Sequence, residues 1–272
     1  MMKEFGMEKN PQLKIETVKT PEGNEVSFCP ERGGIITSIK FDGNEVLYMD
    51  DETFNNKEVN VKGGVPILFP NAGPIPDEIK TDELKNLKQH GFVREFKWNY
   101  QKEENGFSEV LTSNPKTKEI FPYDFKLSIK ANFDNNSFII KQEVENTDKE
   151  KILPISSGFH PYFKVSSREK KNINFNFQGG EKIKEKTEIW ANGEVVSVEN
   201  PNVPFTVDIP GLGELHFEIS KEYKRILVWS QEGKDFVCIE PVMRDKGGIV
   251  SDPEKIQPGV KHESFFKISK EK

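Results

Sequence analysis

Between Phe125 and Val144 the chain alternates. Phe125, Leu127, Ile129, Ala131 and Phe133 take every second position, with Lys126, Ser128, Lys130 and Asn132 between them. A period of two sends the apolar set to one face of a strand and the polar set to the other. Asp134-Asn135-Asn136 then interrupts with residues that tolerate left-handed backbone, and Ser137–Val144 returns. The segment reads as a β-hairpin with one buried face.

The same period recurs elsewhere. Ile173, Phe175 and Phe177 alternate with asparagines, Leu215–Ile219 alternates around His216, and Phe265–Ile268 does so more weakly. Asp42-Gly43, Asn105-Gly106, Gly179-Gly180, Asn192-Gly193 and Gly233 are turn candidates, spaced as in a protein of many short strands. Alanine, the best helix former, occurs only as Ala72, Ala131 and Ala191, against 21 phenylalanines. That ratio argues against a helical protein. We expect an all-β fold. No long helical period, internal repeat or low-complexity tract interrupts the pattern, and no shift in composition marks a linker. Residues 1–272 are therefore expected to form one domain, within reach of a large β sandwich or barrel of ~200–250 residues. Pro70–Gln89 and Arg244–Gly259 break the alternation. The first carries a charged stretch, Asp77–Lys88, with few core candidates, and segments of this kind are often functional.

Charge narrows the partners. Lys and Arg number 39 against 45 Asp and Glu, a net of −6, so no basic stripe favours nucleic acid. No apolar run approaches the ~18 residues needed to cross a bilayer. The opening MMKEFGMEKNPQ lacks the apolar core of a secretory signal. A cytoplasmic protein with no nucleic-acid or membrane partner is expected, and its two cysteines, Cys29 and Cys238, are expected to be reduced, packed thiols.

Few residues remain that could carry chemistry. Of four histidines, His216 and His262 read as solvated strand positions. His90 opens His90-Gly-Phe-Val-Arg94 at the end of the polar loop, and His160 sits in Ser156-Ser-Gly-Phe-His-Pro-Tyr-Phe163. Rigid, aromatic settings of this kind can tune an imidazole, although by spacing alone a structural role is the commoner reading of each. Glu240 follows the apolar run Asp235–Ile239, and a carboxylate at the end of a buried strand must be paired, solvated in a cleft or functional. No metal-ligand spacing appears. Lys62-Gly63-Gly64 is too short for a phosphate-cradling loop.

Five stretches in order resemble the aldose 1-epimerase (galactose mutarotase-like) family: Gly33–Ile39, Gly63–Asn71, Gln89–Arg94, Ser157–Phe163 and Phe236–Pro241, with Pro258-Gly259 and a final strand after them. The likeness spans residues 33 to 268. It implies a single large antiparallel β-supersandwich with sugar bound in a cleft on one concave sheet. It also implies a cofactor-free, metal-free mutarotase that interconverts α and β anomers by opening and reclosing the hemiacetal ring. Carried over by motif, Glu240 is the general base and His160 the general acid, with His90 hydrogen-bonding the sugar or its ring oxygen alongside. Arg94, Asn71 and Phe163 fall among the substrate-binding residues.

The resemblance is incomplete. Galactose enzymes carry an arginine in the stretch matching Gly63–Gly73, where this chain has Asn71-Ala-Gly-Pro74, and Arg94 is the candidate replacement cation. Their acidic sugar ligand between the His and Glu motifs has no match. Two alternatives stay open: a hexose-6-phosphate mutarotase using Lys62, Arg94, Arg244 and Lys246, or a non-catalytic carbohydrate-binding protein on the same scaffold. The expected partner is a small sugar or sugar phosphate, with the oligomeric state left open.

Overall fold

A computed structural model of the chain describes residues 13–185 and 193–270. Among them the strands join in sheets whose strand-to-strand pairings are all antiparallel. The largest is eight-stranded, in the order Asn174–Asn176, Phe205–Ile209, Gly213–Ile219, Lys261–Lys270, Ser137–Asn146, Phe125–Asp134, Gly106–Thr112 and Asn99–Glu103. Its centre is the alternating hairpin. Asp134 pairs with Ser137 across a two-residue turn, and Asn135 supplies the positive φ of 52° that this turn requires. Phe125, Leu127, Ile129 and Ala131 are fully buried on the inner face. Burying a side chain of phenylalanine or leucine size contributes about 1.5–3 kcal/mol, so a one-residue slip of register would forfeit the whole row.

Two other sheets cover that face. The strands Glu16–Lys19, Glu25–Cys29, Ile35–Phe41 and Asn44–Glu45 form the first. Phe28 stacks on Phe107 at 3.8 Å, and Phe41 meets Phe133 edge-on at 5.5 Å. The second sheet contains Val196–Glu199, Arg225–Trp229, Phe236–Val242, Gly158–Phe159 and Ile67–Leu68, with Tyr162–Lys164 also paired to Phe236–Val242. Phe159 packs against Phe266 and Phe163 against Phe217 across the layer. The result is an antiparallel β sandwich: all-β as the alternation led us to expect, and a sandwich as the resemblance implied. Among the described residues, no helix is long and apolar enough to cross a membrane.

Details depart from the sequence reading. Pro70–Gln89 is not poor in core residues: Ile75, Leu84 and Leu87 are buried and pin the loop down. Arg244–Gly259 contains a short helix, Gly248–Ser251, and a strand, Glu254–Ile256, paired with Leu153–Ile155. The buried strand does not end at Glu240 but runs through Pro241 to Val242. Of the Asn192-Gly193 turn, Asn192 lies outside the described residues. Both cysteines are free and buried.

Two buried charged residues belong to the frame. Arg32 has its guanidinium among the carbonyls of Thr53, Phe54, Asn56 and Val59, at 2.7–3.3 Å. It thereby holds the segment that follows the helix Asp51–Asn55. Glu109 points into the sandwich between Phe107 and Leu111, where alternation would place an apolar residue. Neither of its carboxyl oxygens has a hydrogen-bond partner among the described residues. Burial pushes this carboxyl up to about 8. Gly34 makes the room, because a Cβ there would stand 2.7 Å from a Glu109 oxygen.

Candidate active site

The strand Phe236–Val242 is buried along its whole length because it has two covered faces. Val237 and Ile239 point into the sandwich core. Cys238 and Glu240, on the opposite face by the same period of two, lie opposite Trp229 and Leu227 of the neighbouring strand. On that outer face lies a cleft of about 730 Å³ whose walls include His90, Arg94, His160, Tyr162, Trp229 and Glu240.

At the cleft floor His160 Nε2 stands 3.3 Å from Glu240 Oε1. His160 is 8% exposed and Glu240 is 2% exposed. Burial lifts the Glu240 carboxyl well above the usual range. Burial, then His90 and Arg94 nearby, hold the His160 imidazole well below its own. Tyr162 stacks on the His160 ring at 4.7 Å, and Trp229 meets it edge-on at 6.0 Å. These rings keep the imidazole in one orientation and shed water from it.

His90 arrives from the other side. Its φ of 67° is left-handed, and the next residue must be glycine, since a Cβ on Gly91 would fall 1.8 Å from the Phe69 carbonyl oxygen. The ring is 5.4 Å from that of His160, centroid to centroid. The backbone N–H of Gly73 donates to His90 Nδ1 at 3.0 Å. This nitrogen therefore carries no proton and Nε2 carries it, 3.1 Å from the Gln89 side-chain nitrogen. Burial, with the Arg94 charge adding to it, pushes the imidazole down to about 3, so it stays neutral. Arg94 donates to the Gln89 carbonyl at 2.8 Å and has no carboxylate in ion-pair contact among the described residues.

The fold thus brings together four of the six residues singled out in the sequence: His90, Arg94, His160 and Glu240. It does not bring Asn71 or Phe163 to the cleft. Asn71 is 1% exposed and donates to the carbonyls of Gly73 and Lys88, fastening the loop that presents His90. Phe163 is fully buried in the sandwich. Strand period explains the exchange, since Tyr162 shares a face with His160 and Phe163 takes the opposite one. Trp229 also lines the cleft without having been singled out. Of the four cations named for a sugar phosphate, Lys62, Arg94 and Lys246 line it, whereas Arg244 is paired with Asp252 and Glu254. The Lys62 ammonium reaches the Gln231 side chain at 2.9 Å. His216 lies on the eight-stranded sheet beside Glu214, away from the cleft.

Comparison with known proteins agrees with this architecture. The family profile described as "Aldose 1-epimerase" matches residues 16–248. A Cenchrus ciliaris protein described as "Putative glucose-6-phosphate 1-epimerase" is 26% identical over 183 residues, which cover 57% of this chain and 52% of that protein. The chain spans about half the length, or less, of the curated relatives it matches. A crystal structure of a Synechocystis sp. PCC 6803 protein superposes with a TM-score of 0.82 at 24% identity, covering 98% of this chain and 99% of the other. A galactose mutarotase related enzyme from Lactobacillus acidophilus gives 0.74 at 16% identity, covering 95% and 98%. The two structural likenesses establish a shared fold.

Proposed function

The chain belongs to the aldose 1-epimerase family, and from that premise we propose that it is a mutarotase, an isomerase that interconverts the α and β anomers of a hexose. The observation that carries this reading is the buried His160–Glu240 pair, 3.3 Å apart and open to a cleft.

Ring opening removes a proton from the anomeric hydroxyl and delivers one to the ring oxygen. Glu240 acts as the base and His160 as the acid. The pair starts as carboxylate and imidazolium and finishes as carboxylic acid and neutral imidazole. Burial raises the carboxyl and lowers the imidazole, so the neutral pair is the resting form. Passage of the carboxyl proton from Glu240 to His160 across their 3.3 Å contact sets up the carboxylate and imidazolium that open the ring. Rotation about C1–C2 in the open aldehyde presents its other face, and the reverse transfers close the ring. His90, neutral with its proton on Nε2, steadies a sugar oxygen beside the acid. Arg94 anchors a hydroxyl or a more strongly charged substituent.

A second reading, hexose 6-phosphate as substrate, has specific support. Lys62, Arg94 and Lys246 all line the cleft, and the curated relatives carry the glucose-6-phosphate 1-epimerase description. Either reading assigns the chain one domain, a cytoplasmic setting and a small sugar as partner. Polarimetry of freshly dissolved α-D-glucose and α-D-galactose, with NMR exchange for glucose 6-phosphate, tests both. Acceleration of one of them, lost in Glu240→Gln, is the expected result. Sugar binding without acceleration of any of the three would turn the reading toward a carbohydrate-binding protein.

A further inference from the structure

The proton transfers leave one buried side chain beneath the cleft floor unused. Cys238 stands two residues before Glu240 on the same face of the same strand. Its sulfur, a ring nitrogen of His160 and a carboxyl oxygen of Glu240 all lie within 4.8 Å of one another, and all three residues are buried. Tyr162 and Phe236 cluster with the thiol, and Trp229 packs against them. Of the three residues, His160 and Glu240 line the cleft and Cys238 lies behind them. His160 Nδ1 has no partner among the described residues.

One sulfur, one imidazole nitrogen and one carboxylate oxygen are donors suited to zinc rather than to magnesium or calcium. Bonds of about 2.0–2.3 Å to a tetrahedral ion set its donor atoms roughly 3.3–3.7 Å apart. His160 and Glu240 already stand at that spacing, and the sulfur has to move by at most roughly 1 Å. Charge favours a divalent ion. The Arg94 guanidinium nearby opposes any uncompensated cation, but thiolate and carboxylate together cancel two positive charges.

We propose that His160, Cys238 and Glu240 form a capture site for a divalent cation of the zinc type, with its fourth position open to the cleft, and that occupation stops catalysis. Capture sends the thiol proton and any carboxyl proton to solvent. It also ties up the imidazole lone pair and the carboxylate. The binding half stands on geometry alone, whereas the inhibition half rests on the reading of the pair as an acid and a base.

Cobalt(II) is the probe, titrated anaerobically under a non-chelating reductant into the wild type, Cys29→Ser and Cys238→Ser. Wild type and Cys29→Ser are expected to show sulfur-to-cobalt charge-transfer absorption saturating at one equivalent, bleached by Zn²⁺. Cys238→Ser is expected to lack the band and to bind Zn²⁺ more than about 10-fold more weakly. X-ray absorption at the zinc edge of the wild type should show a single sulfur near 2.3 Å, a measurement that does not depend on any variant folding. Zn²⁺ should slow sugar turnover in the wild type, a chelator should restore it, and Cys238→Ser should turn over sugar unaffected by the same Zn²⁺. A band that survives in Cys238→Ser, or zinc without a sulfur neighbour, overturns the site. The band without turnover in any protein upholds the site and removes the mutarotase reading instead.

Discussion

Each of the two large sheets buries one glutamate, and the two surroundings are opposites. Glu109 lies inside the sandwich with both oxygens unpartnered among the described residues. Glu240 lies on the outer face of the other sheet, 3.3 Å from an imidazole and open to a cleft. Burial raises both carboxyls. What differs is what a charge would meet: Trp98 and Gly34 at Glu109, a protonatable ring at Glu240. The same desolvation is a stability cost in one sheet and, on the proposed function, a means of moving protons in the other.

The largest effect is expected at Glu240. Glu240→Gln should lower sugar turnover by on the order of 10⁴-fold while circular dichroism and sugar binding persist; full activity would remove Glu240 from the mechanism. His160→Asn should cost about 10²-fold or more by the same assay, and a negligible loss would sink its role as the acid. Glu109→Gln should leave turnover alone and act on stability. The unfolded carboxyl ionises near 4.5, while the folded one keeps its proton to about 8. The folded state thus binds one more proton across that window, so the wild type should lose about 1.4 kcal/mol of stability per pH unit as pH rises through it. Urea titrations of wild type and variant at several pH values measure this slope; a difference independent of pH would show that Glu109 ionises normally. The smallest effect is expected from Phe163→Leu, about 1–2 kcal/mol of stability with an unchanged KM. A raised KM would return Phe163 to the substrate.

The two regions also differ in how much of them can be read in advance. The ten-residue strands Phe125–Asp134 and Ser137–Asn146 show their period directly, because one face is dry and the other wet. The sheet beneath the cleft has both faces covered and uses strands as short as Gly158–Phe159, so periodicity has little length in which to appear. His90, His160 and Glu240 were legible because unusual residues stand in unusual contexts: beside glycine, before proline, after an apolar run. Cys238 was not, since its meeting with His160 depends on two strands pairing, Tyr162 opposite Cys238. Asn71 and Phe163 came with the stretches the resemblance carried over, but the period of two turns Phe163 into the core and Asn71 is spent on the carbonyls of Gly73 and Lys88. Glu109 carried a signal, a lone acid within the alternation Phe107, Glu109, Leu111, that nothing else in the sequence explains.

Arg32 has a consequence for how this cleft can change. Its guanidinium grips main-chain carbonyls of residues 53–59, and the chain continues directly into Asn60, Val61 and Lys62 of the cleft wall. A clamp that touches only backbone is indifferent to side-chain identity. Evolution or a designer can therefore rewrite those three wall residues one at a time, retuning which ligand is welcomed, while the arginine and the backbone hydrogen bonds of Lys62 with Thr53 and Asp50 hold the course of the wall.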